Sequence, residues 1–211
     1  MALLLGIDTG GTYTDAVLFD DKQNKVIAKA KSLTTRHDLA IGISGAVTRV
    51  IEVAKIEAKT IELVSLSTTL ATNALVEGQQ RRIGLVMIGF SETDIGRQGL
   101  SSALGTDPMV RIAGGHNVTG DEAAPLDLNA LDAWLDGAGK TVTGYAVAGY
   151  FSTRNPDHEI RVRDHIRARM YLPVTCSHEL TSQLDGPRRA LTCVLNARLI
   201  PLIDGLIGAT T

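Results

Sequence analysis

The chain has 211 residues, 44% of them hydrophobic and 21% charged, the balance of a globular protein with one large or two small domains. A net charge of −2 and 4% aromatics give neither the basic footprint nor the stacking surface of a nucleic-acid binder, and no pull toward an anionic membrane. No run of ~18 uncharged apolar residues is present, Met1–Leu5 is too short for the apolar core of a signal peptide, and Cys176 and Cys193 fit reduced, buried thiols, so a cytoplasmic protein is expected.

Strands are predicted over Leu3–Asp8, Ala16–Asp20 and Val26–Ser32, the last two joined by the polar turn Asp20–Asn24, so the chain opens on a meander. Leu39, Ile43, Val47, Val50, Ile51 and Ala54 then repeat at helical spacing; Gly42 and Gly45 weaken that helix but suit close packing. Glu62–Ser67 reads as a buried strand and runs into the hydroxyl-rich segment 67–78, which turns into a helix stopping at Gly78. There Thr68, Thr69, Thr72 and Asn73 can line a polar site, or Thr68 and Thr69 can simply cap the helix.

Arg82–Gly89 is another buried strand, and residues 91–125 are loop-rich without clear periodicity. Within them Gly114-Gly115-His116-Asn117 suggests backbone threaded close to a neighbour, with His116 open to a structural or a chemical role. A short amphipathic helix over Leu128–Leu135 and an apolar strand over Tyr145–Phe151 follow. Asn155 is a natural helix cap, Pro156 suits the first helical position, and Asp157 and Glu159 suit the positive end of the dipole, which leaves His158 unexplained in a helix to about Met170. Leu172–Cys176 is a strand, and Pro187 onward is a helix bent or broken near Pro201.

The densest chemistry lies at Gly6-Ile7-Asp8-Thr9-Gly10-Gly11-Thr12-Tyr13-Thr14-Asp15, a strand, a tight turn and a strand. Gly10 and Gly11 can adopt angles closed to other residues and aim amides at an anion, while the threonines add hydroxyl donors. Asp8 or Asp15 can hold hydrated Mg²⁺ beside phosphates, because a hard cation prefers oxygen. An ordinary glycine-containing hairpin is the simpler alternative. Asp-Thr-Gly does not recur, as a paired-carboxylate protease would need, and neither a P-loop nor a Gly-x-Gly-x-x-Gly fingerprint is present. The succession of meander, then helices alternating with buried strands, points to an α/β protein with a mixed sheet and helices packed on it, as in the ribonuclease H-like half of an actin-like ATPase.

In these segments, together with Pro125-Leu126-Asp127, Tyr150–Glu159 and Leu195-Asn196-Ala197, the chain resembles the N-terminal part of the hydantoinase A/5-oxoprolinase family. The resemblance implies ATP-dependent opening of a cyclic amide: phosphorylation of the ring carbonyl oxygen supplies a leaving group, and water opens the C–N bond. It assigns Gly10, Gly11, Thr12 and Thr14 to ATP phosphates, Asp8 to Mg²⁺ and Asp15 to the same site. It assigns Thr68, Thr69, Thr72 and Asn73 to the adjoining cleft, and His116, Asn155 and His158 to substrate or proton-transfer contacts, with Asp8, Asp15, His116 and His158 as the catalytic candidates. His158 and His178 form a candidate transition-metal pair by analogy with carboxylase relatives.

The resemblance places a hydantoinase/oxoprolinase N-terminal domain at 1–185 and the start of a further helical ATPase segment at 186–211. Family members are far longer, so little ATP hydrolysis is expected of these 211 residues alone. The implied partners are a small cyclic amide and the remaining ATPase lobe or a B-type subunit; a homo-oligomer is compatible with it. A sugar-kinase-type enzyme or a non-catalytic assembly module are the alternatives.

Overall fold

The structure, a computed structural model, describes residues 2–35, 38–69, 81–96 and 98–208. The chain is mixed α/β and divides into two compact units, 1–79 with 202–211, and 80–201.

In the first unit β1 (Leu3–Thr9), β2 (Tyr13–Asp20) and β3 (Lys25–Leu33) form the expected antiparallel meander, and β4 (Ile61–Thr68) pairs parallel with β1, giving the order β3-β2-β1-β4. Alternation sends Leu3, Leu5, Ile7, Ala16 and Leu18 to one face, where they meet Ile43, Ala46 and Val50 of α1 (Leu39–Ala54). Asp38 begins α1 by accepting the Ala40 N–H, and Lys55 ends it in a left-handed conformation. The close packing foreseen for Gly42 and Gly45 is present: an added Cβ would come 2.9 Å from the Leu33 carbonyl and 2.8 Å from Ser32 Oγ.

The expectation of a buried fourth strand is overturned. Leu63 and Val64 of β4 are 58% and 55% exposed. Apolar content resembles that of a two-sided core strand, but β4 is the edge of this sheet and α1 packs on β1–β3.

The second unit holds a parallel sheet, order β6-β5-β7-β8, made of β5 (Ile83–Ile88), β6 (Met109–Ile112), β7 (Gly144–Gly149) and β8 (Val174–Cys176). Every residue of β5 and β7 is buried, because helices cover both faces. One face packs on α3 (Leu100–Leu104) and on α7 (Gly186–Gly208), through Ala190, Cys193, Val194 and Ala197 at helical spacing. The other packs on α4 (Leu128–Asp136) and α5 (Asp157–Met170), through Leu131, Leu135, Val162 and Ile166. Two further short helices are α2 (Glu92–Ile95) and α6 (Ser177–Leu180).

Strand β6 and helices α2 and α3 lie in the stretch expected to be loop-rich; four residues, one of them Arg111, are too few to show a period. Pro201 lies inside α7 and does not break it. Asn155 caps α5 with its side-chain oxygen on the Asp157 N–H, which puts Pro156 in the cap position and starts the helix one residue later than expected.

The Gly114-Gly115 pair is threaded as foreseen, and its neighbour is the end of β5. Gly89 has φ +75°, and a Cβ there would sit 2.5 Å from the Gly114 carbonyl oxygen. Gly89→Ala is expected to destabilise the chain by roughly 2–4 kcal/mol, from left-handed strain plus overpacking, measured by urea denaturation.

Candidate functional site

The expected site residues fall into two groups, one per unit. In the first, Asp8 and Asp15 are direct cross-strand partners on the face of the sheet opposite α1. With Gly6, Ile7, Val17, Ser65 and Ser67 they line a groove of about 280 Å³. Like charges directly opposite one another repel. Lys31, 3.2 Å from Asp15 and stacked over the Tyr13 ring, offsets one of them.

The adjoining turn is held partly by itself and partly by the segment after β3. The Gly10 N–H donates to the Tyr13 carbonyl, and the Thr12 carbonyl accepts from the Thr34 N–H. Thr14 is fully buried, its hydroxyl 3.0 Å from that of Thr34. The first of these bonds closes the hairpin without a left-handed φ at Gly10, contrary to the expectation for that glycine. What a side chain there would meet is the Tyr13 carbonyl oxygen, 3.1 Å from an added Cβ, and Thr14 holds β2 to the segment after β3. Thr68 Oγ1 and the Thr69 N–H both donate to the Thr9 carbonyl, fastening the ends of β1 and β4. Thr9 Oγ1 is buried and has no hydrogen-bond partner among the described residues. Thr72 and Asn73 lie outside the described residues.

In the second unit the site follows from winding. β6 lies on one side of β5 and β7 on the other, so the chain leaves the ends of β5 and β7 in opposite directions, the place where a doubly wound sheet opens a crevice. The loop 113–116 lies across that point. The His116 N–H donates to the Tyr150 carbonyl, and the Tyr150 N–H to Ile88. His158 clasps the loop: its Nδ1 accepts the Gly115 N–H at 2.9 Å, and its Nε2 lies 3.1 Å from Glu122 Oε1. An Nδ1 that accepts carries no proton, so the ring is neutral with its hydrogen on Nε2, donated to Glu122.

His116 packs against His158 with ring centroids 4.4 Å apart. Burial, with His158 beside it, holds the His116 ring below its ordinary value of 6.5, against the opposing effect of Asp157 and Glu122. Its side chain makes no hydrogen bond among the described residues, which leaves a neutral imidazole able to take a proton or meet a ligand. Asn155 Nδ2 donates to the Gly120 carbonyl, so with its cap it is structurally occupied at both ends.

The His158–His178 pair is not formed. His158 and Glu159 are consecutive on α5 and project about 100° apart; His178 is on the Glu159 side, Nδ1 2.5 Å from Glu159 Oε2. Glu159, Cys176 and His178 do place ligand-type atoms within 4.8 Å of one another. They do not fit a metal as they stand: both Glu159 oxygens already accept hydrogen bonds, and burial with the Glu159 charge pushes the Cys176 thiol well above its ordinary range.

The feature that sequence reasoning missed is the network around Glu159. The carboxylate is fully buried and accepts from the Gly149 N–H at 2.6 Å, from Ser177 Oγ at 2.6 Å, and from the His178 N–H at 3.0 Å. Arg189, 1% exposed, reaches Ser177 Oγ, Ser152 Oγ and the Gly149 and Gln183 carbonyls. Burial alone would raise the Glu159 pKa; the donors from His178, Ser177 and Ser152 outweigh it and hold it below 4.5. No local signal marked Arg189; for Glu159 only helix-dipole placement was visible.

A sequence profile of the hydantoinase/oxoprolinase N-terminal region matches residues 4–170. The chain belongs to the hydantoinase/oxoprolinase family. Caprolactamase subunit alpha of Pseudomonas jessenii is 32% identical, over 96% of this chain and 32% of its own length. The acetophenone carboxylase gamma subunit of Aromatoleum aromaticum is also 32% identical, over 98% of this chain and 32% of its own. The crystal structure of the ATP-dependent caprolactamase from P. jessenii superposes with TM-score 0.73 at 30% identity, covering 97% of this chain and 32% of that one. A nucleotide-free acetone carboxylase chain gives TM-score 0.76 at 20% identity, covering 99% and 34%, a likeness of fold. This hydantoinase/oxoprolinase chain therefore spans about a third of the length of the relatives it matches.

Two outcomes follow for this family member. Because the folded pKa of Glu159 is depressed, the unfolded chain binds more protons on acidification, and the stabilisation present above 4.5 disappears as pH falls through the folded value. Glu159→Gln leaves Arg189 uncompensated and should cost roughly 3–5 kcal/mol at neutral pH, with a flatter acid limb in denaturation followed by circular dichroism. Nitrogen-15 NMR at pH 7 should show His158 as the Nε2–H tautomer and His116 titrating below 6.5.

Proposed function

We propose that this chain is the nucleotide-phosphate-binding N-terminal part of an ATP-dependent cyclic-amide hydrolase of the hydantoinase/oxoprolinase type, acting together with further ATPase sequence or a partner subunit. The observation that carries the reading is the Asp8–Asp15 pair, opposed across β1 and β2 on an open groove beside the Gly10–Thr12 turn. Support comes from the sequence likeness to a caprolactamase subunit, named for a lactam, and from the ATP dependence stated for the caprolactamase structure.

The donor set fits a hydrated magnesium ion. Two hard carboxylates face each other with Lys31 as the partner of only one, and a divalent cation would relieve the remaining repulsion. Asp8 would hold it, with Asp15 shaping the same shell. Bound Mg-ATP would supply the phosphoryl group that makes an unreactive amide carbonyl electrophilic. This chain's own residues position it: the Gly11–Thr12 end of the hairpin meets the phosphates, and Ser65 and Ser67 add hydroxyls along the groove. Thr14 and Gly10 keep the turn in shape from inside. In the second unit His116 is the group able to accept a proton, on a loop fastened by His158.

The full polypeptide that carries this region, purified with any subunit that accompanies it, is expected to form ring-opened product and ADP from a hydantoin or 5-oxoproline with Mg-ATP. Asp8→Ala should lower that rate roughly 10²-fold or more while circular dichroism is unchanged. Phosphoester formation on sugars without ring opening would sink the reading.

A further inference from the structure

Beside the Glu159 network lies a cavity of about 230 Å³ lined by Thr181, Gln183, Arg188, Arg189 and Thr192. Its lining contains two guanidinium groups and no carboxylate. Arg189 is buried and held by four hydrogen bonds: Nε to Ser177, Nη1 to Gln183, and Nη2 to Gly149 and Ser152. A guanidinium carries five N–H groups, so one N–H, on Nη1, has no acceptor among the described residues. The fixed partners remove rotational freedom, so that donor is preset.

Arg188, one residue earlier on the first turn of α7, is exposed, and its side chain has neither a hydrogen bond nor an ion pair among the described residues. Its backbone N–H is taken by Asp185 Oδ1, and the other oxygen of Asp185 accepts from Gln98 Nε2, so Asp185 is occupied as a cap. Thr181 Oγ1 accepts from the Gln183 N–H, which leaves its hydroxyl hydrogen free to donate. Thr192 Oγ1 spends its hydrogen on the Arg188 carbonyl, so the spare donors come from Arg188, Arg189 and Thr181, and the lining charge is positive.

We propose that this cavity is a binding site for a small oxyanion, an inorganic phosphate or the carboxylate of a small acid, clamped between Arg188 and the spare N–H of Arg189. Arginine forks match the planar geometry of such anions. The volume is below the ~300 Å³ at which ligand pockets of ordinary size begin, so the anion enters as a small species or as the terminal group of a larger one. Arg189 is the built part of the site, held and desolvated, and Arg188 is the exposed jaw. The Glu159 and Asp185 carboxylates already act on the Arg189 charge, so the positive charge without a partner at the cavity is that of Arg188.

The test is titration of the 211-residue chain with phosphate and, separately, with acetate, at ionic strength held constant with chloride, followed by amide NMR shifts and thermal unfolding. Saturable shifts confined to residues near 181–192 and a saturable rise in Tm are expected. Response to phosphate alone identifies a phosphoryl ligand, response to acetate alone a carboxylate, and response to both a general oxyanion site. Arg188→Ala, at an exposed position, should fold normally and weaken binding roughly ten- to hundredfold, the loss of a charge-assisted hydrogen-bond pair; Arg188→Lys should fall between. Failure of both anions to saturate, or affinity unchanged in Arg188→Ala, overturns the proposal.

Discussion

One buried carboxylate organises the carboxyl end of the parallel sheet. Glu159 accepts hydrogen bonds from the end of β7 and from both residues that open α6, while Arg189 on α7 closes the circuit through Ser177, Ser152 and the Gly149 carbonyl. In water such a group would be solvated from every side; here protein donors replace that shell, which is the condition for burying a charge without large loss. Ends of strands are where backbone groups run out of ladder partners, so the network also satisfies main-chain atoms that would otherwise be orphaned.

His158 stands beside Glu159 in sequence and works in the opposite direction. It receives the Gly115 amide and so keeps 113–116 laid across the point where the sheet winds both ways. The glycines there permit backbone to pass backbone, and the histidine fixes where it passes. A segment that reads as a run of chemistry, Asn155 to Glu159, is therefore in large part a fastening: a cap, a clasp and a hub in five residues. The side chain left with spare chemistry is His116, buried, neutral and packed at a tilt against its clasping neighbour.

The first unit follows a different logic. Its meander uses one face for α1 and leaves the other to Asp8, Asp15 and the groove between them. The Gly10 amide closes the hairpin, and the Thr12 carbonyl and Thr14 hydroxyl tie it to Thr34; that fastening keeps two carboxylates opposed despite their repulsion.

The sequence by itself determined the meander, α1 with its close-packed glycines, strands β5 and β7, the Asn155 cap and the Gly114-Gly115 threading, because each rests on local period, capping chemistry or the absence of a side chain. It also marked the family, through motifs in a fixed order. Only the tertiary structure decided that β4 is an exposed edge, that β6 exists, and that His158 and His178 serve separate partners. Only it joined Glu159 to Arg189, thirty residues away along the chain. Periodicity reports which face of an element is apolar, but the partner of a polar side chain is set by contacts between distant segments, and no pattern within a window of residues encodes them.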